Sequence, residues 1–94
     1  MSKEGRLREQ IDKGKQVDAI IKNPMFTEIF ANLEEQFLSA WKMSSMKDSE
    51  ERERIYYLYQ SLQALKDAMT GISGNGRLAE SQLNELIGRK TTLN

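Results

Sequence analysis

The residues of this chain that could do chemistry are carboxylates, lysines and tyrosines, because its 94 residues include no cysteine and no histidine. That composition removes disulfides, thiolate nucleophiles, nearly all zinc sites and the commonest general base. Glu50, Glu51 and Glu53 form the densest acidic group and could in principle bind a hard cation. The same acids suit the first turn of a helix, where the dipole is positive, with a Glu50–Arg54 pair at i, i+4. We therefore predict no catalytic or metal-binding residues, no cofactor and no small-molecule substrate, and hence no enzyme.

A glycine-rich stretch from Gly71 to Arg77 has the spacing of a phosphate-binding loop, with glycine, four residues, a second glycine and a basic residue. A phosphate loop needs lysine followed by serine or threonine, and a strand ahead of it, whereas Arg77 is followed by Leu78. Glycine and asparagine in this stretch suit the left-handed conformation that ends many helices. We therefore predict a helix end here, and we interpret residues 89–94 as a flexible tail.

Four aromatic residues are the candidate protein-interaction residues: Trp41, Tyr56, Tyr57 and Tyr59. Two interpretations stay open. Trp41 and Tyr59 close a core, or the group forms an aromatic patch that anchors a partner, since these residue types are favoured at binding hot spots. Tyr56 and Tyr57 cannot both face a core, because neighbours on a helix point about 100° apart.

Two long helices are predicted to position these side chains. The first, at about residues 24–43, begins with Asn23 as its N-cap and Pro24 in its first turn, where the proline needs no amide partner. The second, at about residues 49–72, follows Asp48, which opens a capping box.

Apolar residues repeat every three or four positions in both helices, which is typical of a heptad seam. They are Phe26, Phe30, Leu33, Phe37 and Ala40 in the first helix, and Ile55, Leu58, Leu62, Leu65, Met69 and Ile72 in the second. Because only residues 44–48 separate the two seams, we predict an all-α fold built on a long antiparallel helical hairpin.

The two ends of the chain are predicted to add short helices. A short N-terminal helix covers residues 15–22 and a short C-terminal helix covers residues 77–88, and both belong to a single helical-hairpin domain at 15–88. Residues 1–14 carry a thin apolar stripe crowded by charges, so we interpret them as a flexible basic N-terminal segment.

Charge and hydropathy limit the expected partners and location. The 14 basic and 14 acidic side chains cancel, with a basic excess in residues 1–22 and an acidic excess in residues 23–72. No apolar run approaches the roughly 20 residues that span a bilayer, and the charged start lacks the apolar segment of a signal peptide. We expect no membrane partner and a cytoplasmic location.

Nucleic acid is an alternative partner, bound through the basic ends of the chain. The candidate phosphate-contacting residues are Arg6, Arg8, Lys13, Lys15, Lys22, Arg89 and Lys90. Assembly of several copies would concentrate this modest charge.

Several motifs follow one another between about residues 16 and 83: Asn23 to Phe26, Glu28, Phe30, Trp41, Asp48, Glu51 to Arg54, and Asn75 to Glu80. Their order resembles that in small orphan proteins of tailed bacteriophages and prophages. The resemblance implies a phage-encoded accessory protein in virion assembly or DNA packaging, located in the host cytoplasm or the virion. It offers no functional residues to carry over.

The expected function is protein–protein interaction. A compact chain of 10.8 kDa buries only about 65% of its unfolded surface, so its core is marginal. We expect a second copy, or a viral or host protein, to cover the remaining apolar surface. The alternatives are a nucleic-acid-binding packaging or regulatory subunit and an inhibitor of a host protein.

Overall fold

The fold, given by a computed structural model, is described for residues 2–92, with side chains for residues 2–89. This part of the chain contains three helices and no strand: α1 (Lys3–Ile21), α2 (Pro24–Met43) and α3 (Ser49–Thr92). The all-helical prediction is confirmed. The chain forms two compact units, which we name the α1 unit (α1 with α3 from Met69 onward) and the α2 unit (Lys22–Ala68).

The start and end of α2 are set by local hydrogen bonds. The side-chain oxygen of Asn23 accepts the backbone N–H groups of Met25 at 2.9 Å and Phe26 at 3.4 Å. These bonds satisfy two of the four amides that lack partners in a first turn. At the other end, the Ser44 hydroxyl donates to the Trp41 carbonyl at 2.6 Å. The predicted range 24–43 is confirmed.

The start of α3 is also set by a local cap. The ion pair predicted there, Glu50–Arg54, is wrong. The Asp48 carboxylate accepts the Glu51 N–H at 3.1 Å. Arg54 pairs with Glu51, three residues earlier, and not with Glu50. The guanidinium reaches both Glu51 oxygens, at 2.7 and 3.2 Å. This two-point contact explains the preference.

The predicted helix end at residues 71–76 is wrong, because α3 is one continuous helix of 44 residues. Consequently there is no separate short helix at 77–88. Across residues 2–92 no glycine has a positive φ. Glycine permits a helix end without requiring one, and inside a helix it costs about 1 kcal/mol relative to alanine. Contacts between this part of α3 and α1, described below, offset that cost.

The N-terminal helix is longer than predicted. Helix α1 begins at Lys3 rather than near residue 15, and its apolar stripe of Leu7 and Ile11 is buried. At the other end of the chain, the predicted tail 89–94 is helical through Thr92, and residues 93 and 94 lie outside the described part.

The core of the α1 unit is small and close-packed. Leu7 and Ile11 of α1 form one buried cluster with Ala79 and Leu83 of α3. Beside it the two backbones nearly touch, since a Cβ added to either Gly14 or Gly76 would lie 2.8 Å from the Cα of the other. Only two glycines facing each other allow so close an approach.

A polar contact lies next to this glycine crossing. Ser73 is only 3% exposed, and its hydroxyl donates to the Asp18 carboxylate. The same carboxylate pairs with Arg77 at 3.5 Å. The buried hydroxyl therefore has an acceptor, and leaving it without one would cost about 1–3 kcal/mol.

The core of the α2 unit contains fewer buried residues than its seams predict. Phe30, Ile55 and Leu62 are buried, whereas Leu58 and Leu65 of the predicted second seam are exposed. A helix turns about 100° per residue, so Leu58 points about 60° away from Ile55. Only one of these two adjacent stripes is buried.

Candidate protein-interaction surfaces

Arg52 joins the end of α2 to the start of α3. Its guanidinium lies over the Trp41 ring, 4.2 Å from the centroid. One of its nitrogens donates to the Ser44 hydroxyl at 2.9 Å, to the Ser44 carbonyl at 3.3 Å and to the Trp41 carbonyl at 3.4 Å. These carbonyls lie in the last turn of α2 and at its C-cap Ser44, where backbone acceptors lack partners four residues later in the helix. Arg52 thus stabilises the Trp41 ring through cation–π contact and fixes its position.

An apolar groove of about 230 Å³ lies beside the Trp41 ring. Its lining includes Phe37, Leu38, Trp41, Ile55, Tyr56 and Tyr59. Three of the four predicted interaction residues therefore share one groove. Trp41 and Tyr56 are exposed and Tyr59 is half-buried, so the groove combines an apolar floor with aromatic rims that solvent reaches.

Tyr57 lies outside the groove. Its hydroxyl donates to the Glu53 carboxylate at 3.1 Å. This hydrogen bond, together with the negative charge of Glu53, raises the pKa of Tyr57 above its usual value. The ring is exposed and lies 6.0 Å from the Tyr56 ring, centroid to centroid. Tyr57 therefore does not line the groove, although its ring contacts that of the groove residue Tyr56.

The α2 unit also exposes large apolar side chains outside the groove. Leu58 and Leu65 are exposed on α3, and Met25 and Ile29 are exposed on α2. The signal was present in the sequence, since the six residues assigned to the second seam belong to two stripes about 60° apart. Assigning all six to one buried seam concealed the exposed stripe.

The basic residues proposed as a nucleic-acid surface do not share one side of α1. Arg6 and Lys13 lie on one flank of its buried stripe, and Arg8 and Lys15 lie on the other. Several pair with acids one turn away: Arg8 with Glu4 at 2.9 Å, Lys13 with Glu9 at 3.0 Å, and Arg89 with Glu85 at 2.5 Å. Lys22 is exposed just after α1, and the Lys90 side chain lies outside the described part. The basic residues of α1 are therefore divided between two flanks of the helix, and Arg8, Lys13 and Arg89 pair with acids.

Within the described residues, no helix is long and apolar enough to cross a membrane. The acidic residues in that same part of the chain form no cluster of three that could hold a metal ion. Comparison of the chain with protein-family models, with curated proteins and with solved structures finds no match.

Proposed function

We propose that this chain is an interaction protein that works by burying exposed apolar side chains against another protein chain. The proposal rests on how many hydrophobic side chains are exposed and how many are buried. Among residues 2–89, fourteen large hydrophobic side chains are exposed and seven hydrophobic side chains are buried. Scattered exposed hydrophobic residues are ordinary, but contiguous groups of them mark binding surfaces. The aromatic groove and the exposed stripe on Leu58 and Leu65 are two such groups.

The scaffold of these surfaces, in our proposal, is an antiparallel hairpin of α2 and the first part of α3. Two contacts support it. Arg52 donates a hydrogen bond to the Ser44 hydroxyl near the connection. Farther from the connection, the Lys66 Nζ lies 3.9 Å from the Glu34 Oε1. From the first contact to the second, the residue number rises in α3, from 52 to 66, and falls in the partner segment, from 44 to 34. This opposite order is that of an antiparallel pair.

The proposed setting is phage virion assembly or DNA packaging, in the host cytoplasm or the virion. Its support is the resemblance to small proteins of tailed phages. Inhibition of a host protein uses the same kind of surface and differs only in the partner. The interaction itself can be tested without knowing the setting.

Site-specific photo-crosslinking in the cells that make the protein tests the proposal. Benzoylphenylalanine replaces Tyr56 in the groove or Leu65 on the exposed stripe, one position at a time. We expect an ultraviolet-dependent adduct with a protein chain from at least one of the two positions. The matched control carries the same group at the exposed polar residue Glu80 and should give none. Folded protein without adducts at Tyr56 and Leu65 would contradict the proposal.

A further inference from the structure

One side of the α2 unit carries exposed apolar side chains and few charges. We name it the uncharged face and define it by Met25, Ile29, Asn32, Gln36 and Ala40 of α2 and Leu58, Ser61, Leu65 and Ala68 of α3, all exposed. When each helix is viewed from its N-terminus to its C-terminus, these residues lie on the same rotational side of the buried stripe. In an antiparallel pair such residues lie on the same side. The charges at its edge are Glu28 on α2 and, near the connection, Glu50 and the paired Glu51 and Arg54.

The apolar residues of the uncharged face can be buried at little cost, whereas the amides of Asn32 and Gln36 need hydrogen-bond partners when water is removed. Its one hydroxyl, on Ser61, already donates to the Tyr57 carbonyl at 2.8 Å. No donor on that side chain would lose its partner when water is removed. The charged residues Glu34, Glu35 and Asp67 lie away from the uncharged face. A partner that covers it therefore meets apolar side chains and the two amides of Asn32 and Gln36, and it needs no charge of its own.

The size of the uncharged face matches the lower limit for a stable dimer. Helix α2 has 20 residues and is therefore about 30 Å long. Two helices side by side are about 20 Å wide, which gives about 600 Å² per copy. Two copies would bury about 1,200 Å² in total, the lower end of the range for specific interfaces.

Along α3 the uncharged face alternates large and small residues in a way that complements itself. Leu58 and Leu65 alternate with Ser61 and Ala68. A second copy running antiparallel, with the two-fold axis at the level of Gln63, places Leu58 against Ala68 and Leu65 against Ser61. Each leucine then fills the space above a small residue. A parallel copy in register would instead set leucine against leucine.

From these observations we infer that the uncharged face is the interface of a homodimer, in which α3 packs antiparallel to α3 of the second copy. This inference rests on the proposed interaction function and names its partner. Two hairpins joined in this way form a four-helix bundle. The net charge of zero means that two identical chains meet without overall repulsion.

Sedimentation equilibrium of the full chain between about 1 and 100 µM tests the inference. We expect the parent chain to have twice its 10.8 kDa mass. Leu65→Glu should raise the dissociation constant by roughly 100-fold, because it buries an unpaired charge, while circular dichroism shows retained helix. The matched control is Leu78→Glu in the α1 unit, where the leucine is 57% exposed compared with 53% for Leu65. It should leave the dimer unchanged. A monomeric parent at 100 µM, or equal effects of the two variants, would overturn the inference.

The register is tested by disulfide formation, since the native chain has no cysteine. Ser61→Cys and Leu65→Cys chains are prepared separately, mixed and oxidised. The antiparallel register predicts that the mixed disulfide forms several-fold faster than either disulfide between identical chains. Preference for identical chains would indicate a parallel pair and overturn the inferred register.

The crosslinking experiment separates failure of the dimer from failure of the proposed function. Benzoylphenylalanine at Leu65 should join the chain to a second copy of itself. An adduct with a different protein, together with a monomeric parent, overturns the dimer and leaves the interaction function standing. Absence of adducts from Leu65 and from Tyr56 contradicts both.

Discussion

The two units of this protein bury their side chains in different ways. The α1 unit has a weak apolar pattern, yet its helices approach so closely at Gly14 and Gly76 that no Cβ fits between them. The α2 unit contains all seven aromatic residues of the chain, and many of its large side chains remain exposed. The difference shows that burial depends on how closely two backbones can approach, and not only on how hydrophobic the facing side chains are.

The largest expected effect comes from charging the small core of the α2 unit. Leu62→Asp places an unpaired carboxylate at a side chain that is 9% exposed, which costs several kcal/mol against a total stability of about 5–15 kcal/mol. We expect loss of cooperative thermal unfolding and of most helical circular dichroism. Leu65→Asp is the control, because that leucine is exposed and its change should spare the fold. Full helicity and a cooperative transition in Leu62→Asp would show that the core of the α2 unit lies elsewhere.

The next largest effect concerns the glycine crossing of the α1 unit. Gly76→Ala and Gly14→Ala each add a methyl group 2.8 Å from a backbone Cα. Backbone cannot move aside as a side-chain tip can, so overpacking of about 1–3 kcal/mol should exceed the gain in helix propensity. Urea unfolding monitored by circular dichroism measures the loss. Unchanged stability in both variants would mean that the two helices separate without penalty.

The same substitution should have the opposite sign elsewhere in α3. Added Cβ atoms at Gly71 and Gly74 meet nothing within 4 Å. Gly71→Ala and Gly74→Ala should each stabilise the protein by about 0.5–1 kcal/mol, because alanine loses less backbone freedom in a helix. These two variants are matched controls for Gly76→Ala in the same helix. A loss of stability in either variant would mean that the added methyl group clashes with a neighbouring atom, which would contradict the open space at Gly71 and Gly74.

The smallest expected effect is the pH dependence of the exposed pair at the start of α3. The hydrogen bond from Arg54 lowers the pKa of Glu51 below its usual value of 4.5; it outweighs the opposing effect of desolvation, and the charge of Arg54 lowers the pKa further. A carboxyl whose pKa is lowered by folding stabilises the folded state above its unfolded pKa, and that contribution disappears as the pH falls through the folded pKa.

Glu51→Gln should therefore lower the Tm slightly at about pH 7, and the difference from the parent should disappear by about pH 3. Differential scanning calorimetry at the two pH values measures this change. Glu50→Gln is the control, since it alters the same first turn without touching the Arg54 pair. A Tm difference that persists at about pH 3 would show that the substitution acts through helix propensity and not through the Glu51–Arg54 pair.

The parts of the fold that depend on neighbouring residues were predictable. Asn23 and Asp48 cap their helices through bonds to amides two or three residues away, so the local sequence contains all the information. The continuity of α3 through Gly76 depends on Gly14, in a different helix. A pattern read along the chain cannot reveal that two glycines face each other, and the stop signal was the stronger local indication.

The candidate surfaces were predictable only in part, for a related reason. Residue type and the predicted hairpin connection selected Trp41, Tyr56 and Tyr59, which share the groove. Tyr57 has the same chemistry but lies outside it, because one residue along a helix turns the side chain by about 100°. The uncharged face was missed because two adjacent stripes with the same repeat were interpreted as one seam.

The order of the elements along the chain has a kinetic consequence. The contacts of the α1 unit join residues as far apart as Asp18 and Ser73, 55 positions away, whereas Arg52 and Ser44 are separated by eight. Closing a long loop costs more entropy than closing a short one. We therefore expect the α2 unit to fold first and α1 to dock last. Loss of the glycine contact should then accelerate unfolding and leave the refolding rate nearly unchanged.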